Sequence, residues 1–445
     1  MRCALRTVHA SLLILFIFMI PVGLGDVTLG GEGGGKSQNL LIIYMIAGDL
    51  ESEGKAATMN IAELLDGYGD TGTEELQIVV AYGGSRTPGF EGVTYVTVKE
   101  LMEDADDGII GNADDVLYRD SDADMGRKET LEEFLAWTHN NFSAERKILV
   151  FWDHGAAYDG FGVDEASKSQ LSLSDISNAF AETNSSFDLI GYDACLMGAL
   201  EVAKAMQPYG RLMIGSEETE PGSGWMYETW IRALGEDPTI GYEKLGQIII
   251  DAYMTRTNDT GKTLSLIGLT KIPALIQALD HLGNNLMPYT ETIEGYRIVG
   301  KAYQVPARYG VDNRLNGETS VDLRSFLAEI RNLTPDLAGE IAHAIKLIDE
   351  AVLYHQNDEY VPQSGGLSIM SPSRMTIDIY DEIGANAKIT PGWDSFFAEL
   401  LAISAKDTEK PTIITSESGF VVEDPTQTAQ VYAEYYYVDG EDFIL

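Results

Sequence analysis

Two short apolar runs, each ending in a chemically reactive side chain, constrain this sequence more than anything else in it. "RKILVFWD" occupies residues 146–153 and "FDLIGYD" residues 187–193, and both have the length and the β-branched and aromatic content of buried strands. The first delivers His154 and a Gly-rich loop, "GAAYDGFG". The second delivers Cys195, after which Leu196, Leu200, Ala203 and Met206 recur at helical spacing. Between His154 and Cys195 lie 40 residues that include the amphipathic stretch "SLSDISNAFAE". That is long enough for a crossover helix, so the two strands can be parallel neighbours whose ends meet at one edge of a sheet. In open α/β sheets ligands and catalytic groups gather at the carboxyl edge.

The rest of the chain extends this pattern. Apolar runs at 39–47, 76–82, 92–98 and 211–215 read as further strands, and periodic segments at 55–66, 128–142, 172–182 and 196–207 as helices. The first half is thus expected to be an α/β sandwich. From 227 to 360 helical periodicity dominates, with one strand expected at 263–269. "GGLSIMSP" (365–372) is expected to return a strand to the sheet, and "WDSFFAELLA" (393–402) to form a closing helix. After Ala405 the helical stripe stops, and the β-rich 406–445 is too short for a robust core of its own. No internal repeat is visible.

The amino terminus carries a distracting motif. Residues 30–37, "GGEGGGKS", match the phosphate-loop pattern G-x-x-x-x-G-K-[ST], which works only where a buried strand enters the glycines and a helix leaves them. Upstream lies "MRCALRTVHASLLILFIFMIPVGLG", whose Arg2 and Arg6 precede an apolar run from Leu12 to Ile20. This reads as a secretory signal over 1–25, with an uncleaved anchor as the other option. Downstream, "QNLLIIYMIAG" reads as a strand. Residues 26–38 are therefore expected to be a Gly-rich linker rather than a nucleotide site.

Charge narrows the partners. The chain has 30 basic and 70 acidic residues, and removing Arg2 and Arg6 leaves 28 − 70 = −42. A field of that sign repels nucleic acid and anionic lipid and attracts basic peptides. Cysteine usage is sharper still: with Cys3 in the signal, Cys195 has no intramolecular disulfide partner. A lone thiol is often a small buried core residue. Here it stands at a strand-to-helix turn, where a helix N-terminus would lower its pKa. Of the five remaining histidines, His139, His281, His343 and His355 fall in segments of helical periodicity, and only His154 stands at a strand end.

At these residues the sequence resembles a known family. "ILVFWDHG" followed by "FDLIGYDACLMG" is similar to the clostripain family of cysteine peptidases, whose fold is related to those of caspases, legumains and gingipains. The likeness continues through "LLIIYMIAGDLESEGKAATMNIAELLDG", "DMGRKETLEEFLAW", "IGSEETEPGSGW", "VDLRSFL" and "SGGLSIMSP", in the family's order, over about 39–402. It implies a caspase-like α/β/α sandwich with a mostly parallel central sheet, forming a peptidase domain over 39–405. It also implies roles: Cys195 as nucleophile, His154 as general acid and base, and the backbone N–H groups of Gly155 and Cys195 as the oxyanion hole. Asp193 matches the acidic residue that lines the primary pocket and selects Arg or Lys; the competing reading is an N-cap for the following helix. Glu217, Glu218 or Glu220 would add a second charge.

The resemblance further implies a cut between His154 and Cys195, where Lys168 is the sole basic residue between Gly155 and Asp193. No cofactor is required by this chemistry. Asp120, Asp122 and Asp124 alternate as in a calcium loop, but Met125 and Leu131 stand where an EF-hand needs Gly and Glu, which leaves calcium an open option. The expected protein is a secreted peptidase acting on basic sites as a monomer or self-cleaved two-chain form. The alternative is an inactive, acidic, cell-surface binding relative.

Overall fold

The computed structural model describes residues 37–103, 116–256, 260–302, 306–312, 317–370, 378, 380–381 and 384–406, with short strands between 413 and 444. The expected signal lies outside these residues, as does the linker except for Ser37 and Gln38. Among the described residues no helix is long and apolar enough to cross a membrane.

A nine-stranded sheet organises the molecule. In chain order its strands are β1 (Ser37–Ile46), β2 (Leu76–Gly83), β3 (Val93–Thr97), β4 (Tyr118–Asp120), β5 (Ala144–Trp152), β6 (Phe187–Asp193), β7 (Gly210–Gly215), β8 (Thr263–Gly268) and, late in the chain, β11 (Val352–Asn357). The spatial order is β11-β8-β7-β6-β5-β1-β2-β3-β4. The five central strands, β7-β6-β5-β1-β2, are parallel, and antiparallel strands flank them on both sides. This is the expected α/β/α architecture with a mostly parallel centre.

The uninterrupted apolar text of the central strands follows from burial on both faces. Leu40 to Ile46 are all fully buried, and because side chains alternate across a strand they divide between two cores. Leu40, Ile42, Tyr44 and Ile46 join Leu149, Phe151 and Tyr192 in one; Leu41, Ile43 and Met45 join Ile148, Val150 and Trp152 in the other. Each such aliphatic side chain contributes about 1.5–3 kcal/mol when removed from water.

Helices cover both faces. They are α1 (Gly48–Gly54), α2 (Ala56–Gly69), α3 (Val98–Glu103), α4 (Lys128–Asn141), α5 (Leu173–Glu182), α6 (Leu200–Met206), α7 (Tyr227–Glu236), α8 (Tyr242–Thr255), α9 (Ile272–Leu286), α10 (Ile293–Ala302), α11 (Leu323–Leu333), α12 (Ala338–Ala351) and α13 (Pro391–Ser404). The crossover between β5 and β6 is α5, started by a capping box in which Ser172 and Asp175 exchange side-chain-to-backbone bonds. Its buried residues Leu173, Ile176, Ala179 and Phe180 are the apolar stripe of "SLSDISNAFAE".

The strand expected after the glycine run is present, and two other expectations need correction. The phosphate-loop pattern runs at Ser37 into β1, not into a helix, so it lacks the helix N-terminus an anion needs. "GGLSIMSP" does not rejoin the main sheet: β12 (Ser368–Met370) pairs with β10 (Gly317–Asp322), which pairs with β9 (Arg308–Asp312), in a separate three-stranded sheet. His355 lies on β11 rather than on a helix, because α12 ends at Ala351 and "VLYHQN" turns back along β8. The text after Ala405 contributes two isolated hairpins, Ile413–Ser416 with Gly419–Val422 and Tyr437–Asp439 with Asp442–Ile444.

Candidate active site

Strand register brings His154 and Cys195 together. β5 and β6 run parallel with Trp152 opposite Asp193, so His154 and Cys195 each stand two residues beyond that last pair on adjacent strands about 4.8 Å apart. The Asp153 N–H continues the ladder to the Asp193 carbonyl at 3.4 Å. Strand order runs from β1 to β2 in one direction and from β5 through β6 to β7 in the other. The site therefore flanks the switch point of the sheet, where a crevice opens at the carboxyl edge.

Local backbone fixes the sulfur. Leu196 adopts a left-handed φ of 65°, which turns the chain sharply out of β6. Bonds from Leu196 N–H to the Glu218 carbonyl (3.1 Å) and from Gly198 N–H to the Ser216 carbonyl (2.7 Å) hold that costly conformation. Gly155 packs against the same turn: a Cβ there would sit 2.1 Å from the Cys195 carbonyl oxygen. Only glycine permits this approach of the two strand ends.

The thiol is half-buried, and burial pushes its pKa up. Backbone N–H groups of Glu220, Gly155 and Cys195 itself oppose that shift by favouring thiolate. The Glu220 N–H lies 3.2 Å from Sγ. A helix terminus plays no part, contrary to the sequence-based expectation: α6 begins only at Leu200, with Ala199 at the cap position. By the same fact Asp193 caps no helix.

His154 has a partner that strand-end reasoning passed over. Its Nε2 lies 2.9 Å from Asp49 Oδ1, at the start of α1 just beyond β1. Burial raises the Asp49 pKa, but the hydrogen bond and charge of His154 outweigh it and hold the carboxyl below its usual value, with Lys168 adding to the effect. Beneath them Asp153 is buried, accepts from Val163 N–H at 2.6 Å and is pushed up to about 7 by desolvation. Asp49 had a signal: it is the first charged residue after "LLIIYMIAG", a strand ending on the same edge.

A second group of carboxyls adjoins the sulfur. Asp193 is 4% exposed and accepts from the Trp225 N–H (3.1–3.2 Å) and the Tyr227 hydroxyl (2.8 Å). Glu220 lies against it, with Oε2 taking the Trp225 indole N–H at 3.1 Å and Oε1 buried with no hydrogen-bond donor among the described residues. Desolvation moves Asp193 up to about 6 against the pull of its donors, and burial beside Asp193 pushes Glu220 well above the usual range. Burial and mutual repulsion thus both oppose ionisation of the two carboxyls together.

The family of this chain is decided over most of its length. The model of the clostripain family matches residues 43–405. The chain belongs to the clostripain family. It is 23% identical over 402 residues to clostripain of Hathewaya histolytica, covering 76% of this chain and 75% of that relative. Its fold is similar to that of iotapain, a secreted C11 cysteine protease of Bacteroides thetaiotaomicron, with a TM-score of 0.62 and 14% identity over 82% of this chain and 100% of that one. An inactive zymogen C11 protease of Parabacteroides distasonis gives 0.59 and 18%, over 82% and 99% of the two chains. This clostripain-family chain is accordingly a cysteine-type endopeptidase, a hydrolase with protein or peptide substrates.

Not every expected residue joins this clostripain-type site. Glu217 is fully buried, accepts from Gly366 N–H at 2.8 Å and faces Asp322, so its carboxyl serves the contact with β10 rather than the cysteine. Glu218 is half-buried, with Oε1 taken by its neighbour Thr219 N–H at 2.7 Å. Lys168 is exposed in a left-handed turn, φ 62°, on a loop organised by Asp164, which accepts from the N–H groups of Met125, Ala166 and Ser167. Part of the acidic stretch 103–126 lies outside the described residues. Among those described, no three His, Cys, Asp or Glu side chains converge to hold a metal ion.

Proposed function

We propose that the chain is a secreted endopeptidase that cuts after Arg or Lys, with Cys195 as nucleophile and His154 as general acid and base. The observation that carries this is the adjacency of the two strand ends around Gly155, with three backbone N–H groups turned toward the sulfur. The thiolate attacks the scissile carbonyl carbon, and the Gly155 and Cys195 N–H groups receive the developing oxyanion. Collapse breaks the C–N bond, His154 gives its proton to the leaving amine, and the acyl group stays on sulfur as a thioester. Water, deprotonated by His154, then releases the acid. This chemistry draws on no cofactor. Retention of both reactive residues in this setting disfavours the inactive binding relative.

The carboxyl pair accounts for specificity. A guanidinium or ammonium entering beside Cys195 meets the carboxyls of Asp193 and Glu220 and favours their ionised forms, a proton leaving to solvent as it binds. The test is a set of short peptide amides carrying Arg, Lys, Asp or Leu before the reporter. Turnover confined to Arg and Lys supports the reading, and a preference for Asp or Leu overturns it. Export is supported by the apolar run Leu12–Ile20 behind Arg2 and Arg6.

Asp49 positions His154 through its 2.9 Å bond. Asp49→Asn keeps the shape of the side chain but deletes the carboxylate that orients the ring, so kcat should fall while KM for a small peptide amide stays near its wild-type value. Because Asp49 is half-exposed, solvent screens the coupling and the expected loss in kcat is about tenfold. A loss divided equally between kcat and KM, or a lowered Tm, would point to a packing effect instead.

Maturation after Lys168 fits the same specificity. The loop it tops is pinched at its base by paired bonds between Phe161 and Leu171 (2.8 and 3.0 Å), and β5 and β6 share one sheet, so two fragments would stay associated. Lys168 also acts electrostatically on Asp49, beside the dyad. Wild-type protein is expected to become two chains split after Lys168, while Cys195→Ala stays intact. Intact mass and N-terminal sequencing check this; full activity of an uncut wild type would overturn it.

A further inference from the structure

At the opposite edge of the sheet lies a cavity of about 600 Å³ that the peptidase chemistry does not use. It opens at the amino ends of the parallel strands, roughly 30 Å along β5 from His154 given nine residues at about 3.3 Å each. Four cations from four elements line it: Arg146 of β5, Arg211 of β7, Lys244 of α8 and Lys271 at the start of α9. In a chain with a formal net charge of −40 this convergence runs against the composition.

Helix termini add to it. The first turn of α8, Gly241 to Lys244, lines the cavity, as do Thr270 and Lys271 ahead of α9, and neither helix has a side-chain cap. Both are long enough, at 14 and 15 residues, to place partial positive charge there. Arg146 is held in place: its guanidinium donates to the Ile240 carbonyl at 2.7 Å and to the Pro238 carbonyl, and lies 4.4 Å over the Tyr242 ring. Its Nε is buried with no hydrogen-bond partner among the described residues. Two carboxylates also line the wall, Asp188, paired with Arg211 at 3.3 Å, and Glu243. They leave two cations in excess, with Leu212 and Leu353 supplying an apolar side.

We propose that this cavity binds an oxyanion, presented either as the carboxylates of an acidic peptide segment or as free phosphate. The field of the whole chain repels anions, so saturable uptake of one requires a local site. The experiment is calorimetric titration of the full chain carrying Cys195→Ala with two probes: inorganic phosphate, and the non-cleavable peptide acetyl-Asp-Glu-Leu-Asp-Glu-amide. Binding of at least one is expected, weakening as salt rises, and falling about tenfold in Lys244→Ser/Lys271→Ser, which removes two screened charges. Both lysines are exposed and remote from Cys195, so the double variant in the Cys195-containing chain should keep wild-type Tm and turnover of small amides. Binding of phosphate alone identifies a free-anion site, and binding of the peptide alone an acidic-segment site. Absence of saturable binding by either probe at low salt, or equal affinity in the double variant, overturns the proposal.

Discussion

Cys195→Ala is expected to yield a folded protein whose peptidase activity is lower by on the order of 10⁴-fold or more, because no neighbouring group can replace a covalent nucleophile. The fold should survive. Sγ is half-buried, and its bonds from the Glu220 N–H at 3.2 Å and to the Glu220 carbonyl at 3.8 Å are the weak ones of sulfur, so its removal costs little packing. Alkylation of the wild type should give the same loss, since Cys195 and Cys3 are the two cysteines of the sequence. His154→Ala should be comparably inactive with its thiol still open to alkylation, which separates loss of the proton carrier from loss of the sulfur. Burst titration with an irreversible thiol reagent and steady-state turnover of an Arg peptide amide measure both. An alanine variant that turns over at the wild-type rate would falsify the dyad.

Removing one charge from the carboxyl pair should produce the second-largest change, and a selective one. Glu220→Gln keeps the shape of the side chain and its acceptor for the Trp225 indole N–H while deleting the charge. Loss of a desolvated ion pair costs about 2–5 kcal/mol, so kcat/KM for Arg substrates should fall by at least about tenfold. Residual cleavage after neutral residues should change far less. Asp193→Asn should act in the same direction with an added structural cost, because an amide nitrogen would face the Trp225 N–H or the Tyr227 hydroxyl. The pH dependence has a definite sign. A cationic substrate binds the ionised pair, and Asp193 titrates at about 6, so affinity for Arg substrates should rise as pH increases through that value. Glu220→Gln should alter that rise. Equal losses for Arg and neutral substrates, with no change in the pH profile, would assign the pair to structure instead of specificity.

What could be read from the sequence alone was whatever depends on local pattern. Continuous apolar runs such as Leu40–Ile46 announce strands buried on both faces, and the stripe in "SLSDISNAFAE" announces the crossover that makes β5 and β6 parallel. From those two facts His154 and Cys195 were expected at one edge if their strands were parallel neighbours, and the register of β5 with β6 supplies that adjacency. The flanks likewise dismissed the phosphate-loop pattern, since a glycine run leading into a strand has no helix dipole to offer. Other features waited on the tertiary structure. Asp49 meets His154 across 105 positions only because β1 lies next to β5, and Glu220 reaches Cys195 only because the Leu196 turn brings 216–220 back over the sulfur. Glu217 and Glu220 are indistinguishable as letters three positions apart, yet one carboxyl takes the Gly366 N–H near Asp322 and the other lies against Asp193 and the Trp225 indole. β12 left the main sheet for a partner in β10, a choice between two edges that its own residues do not encode. Spacing along a chain fixes which face a side chain takes and where a strand ends; which distant residues meet there depends on the order in which the strands are laid side by side.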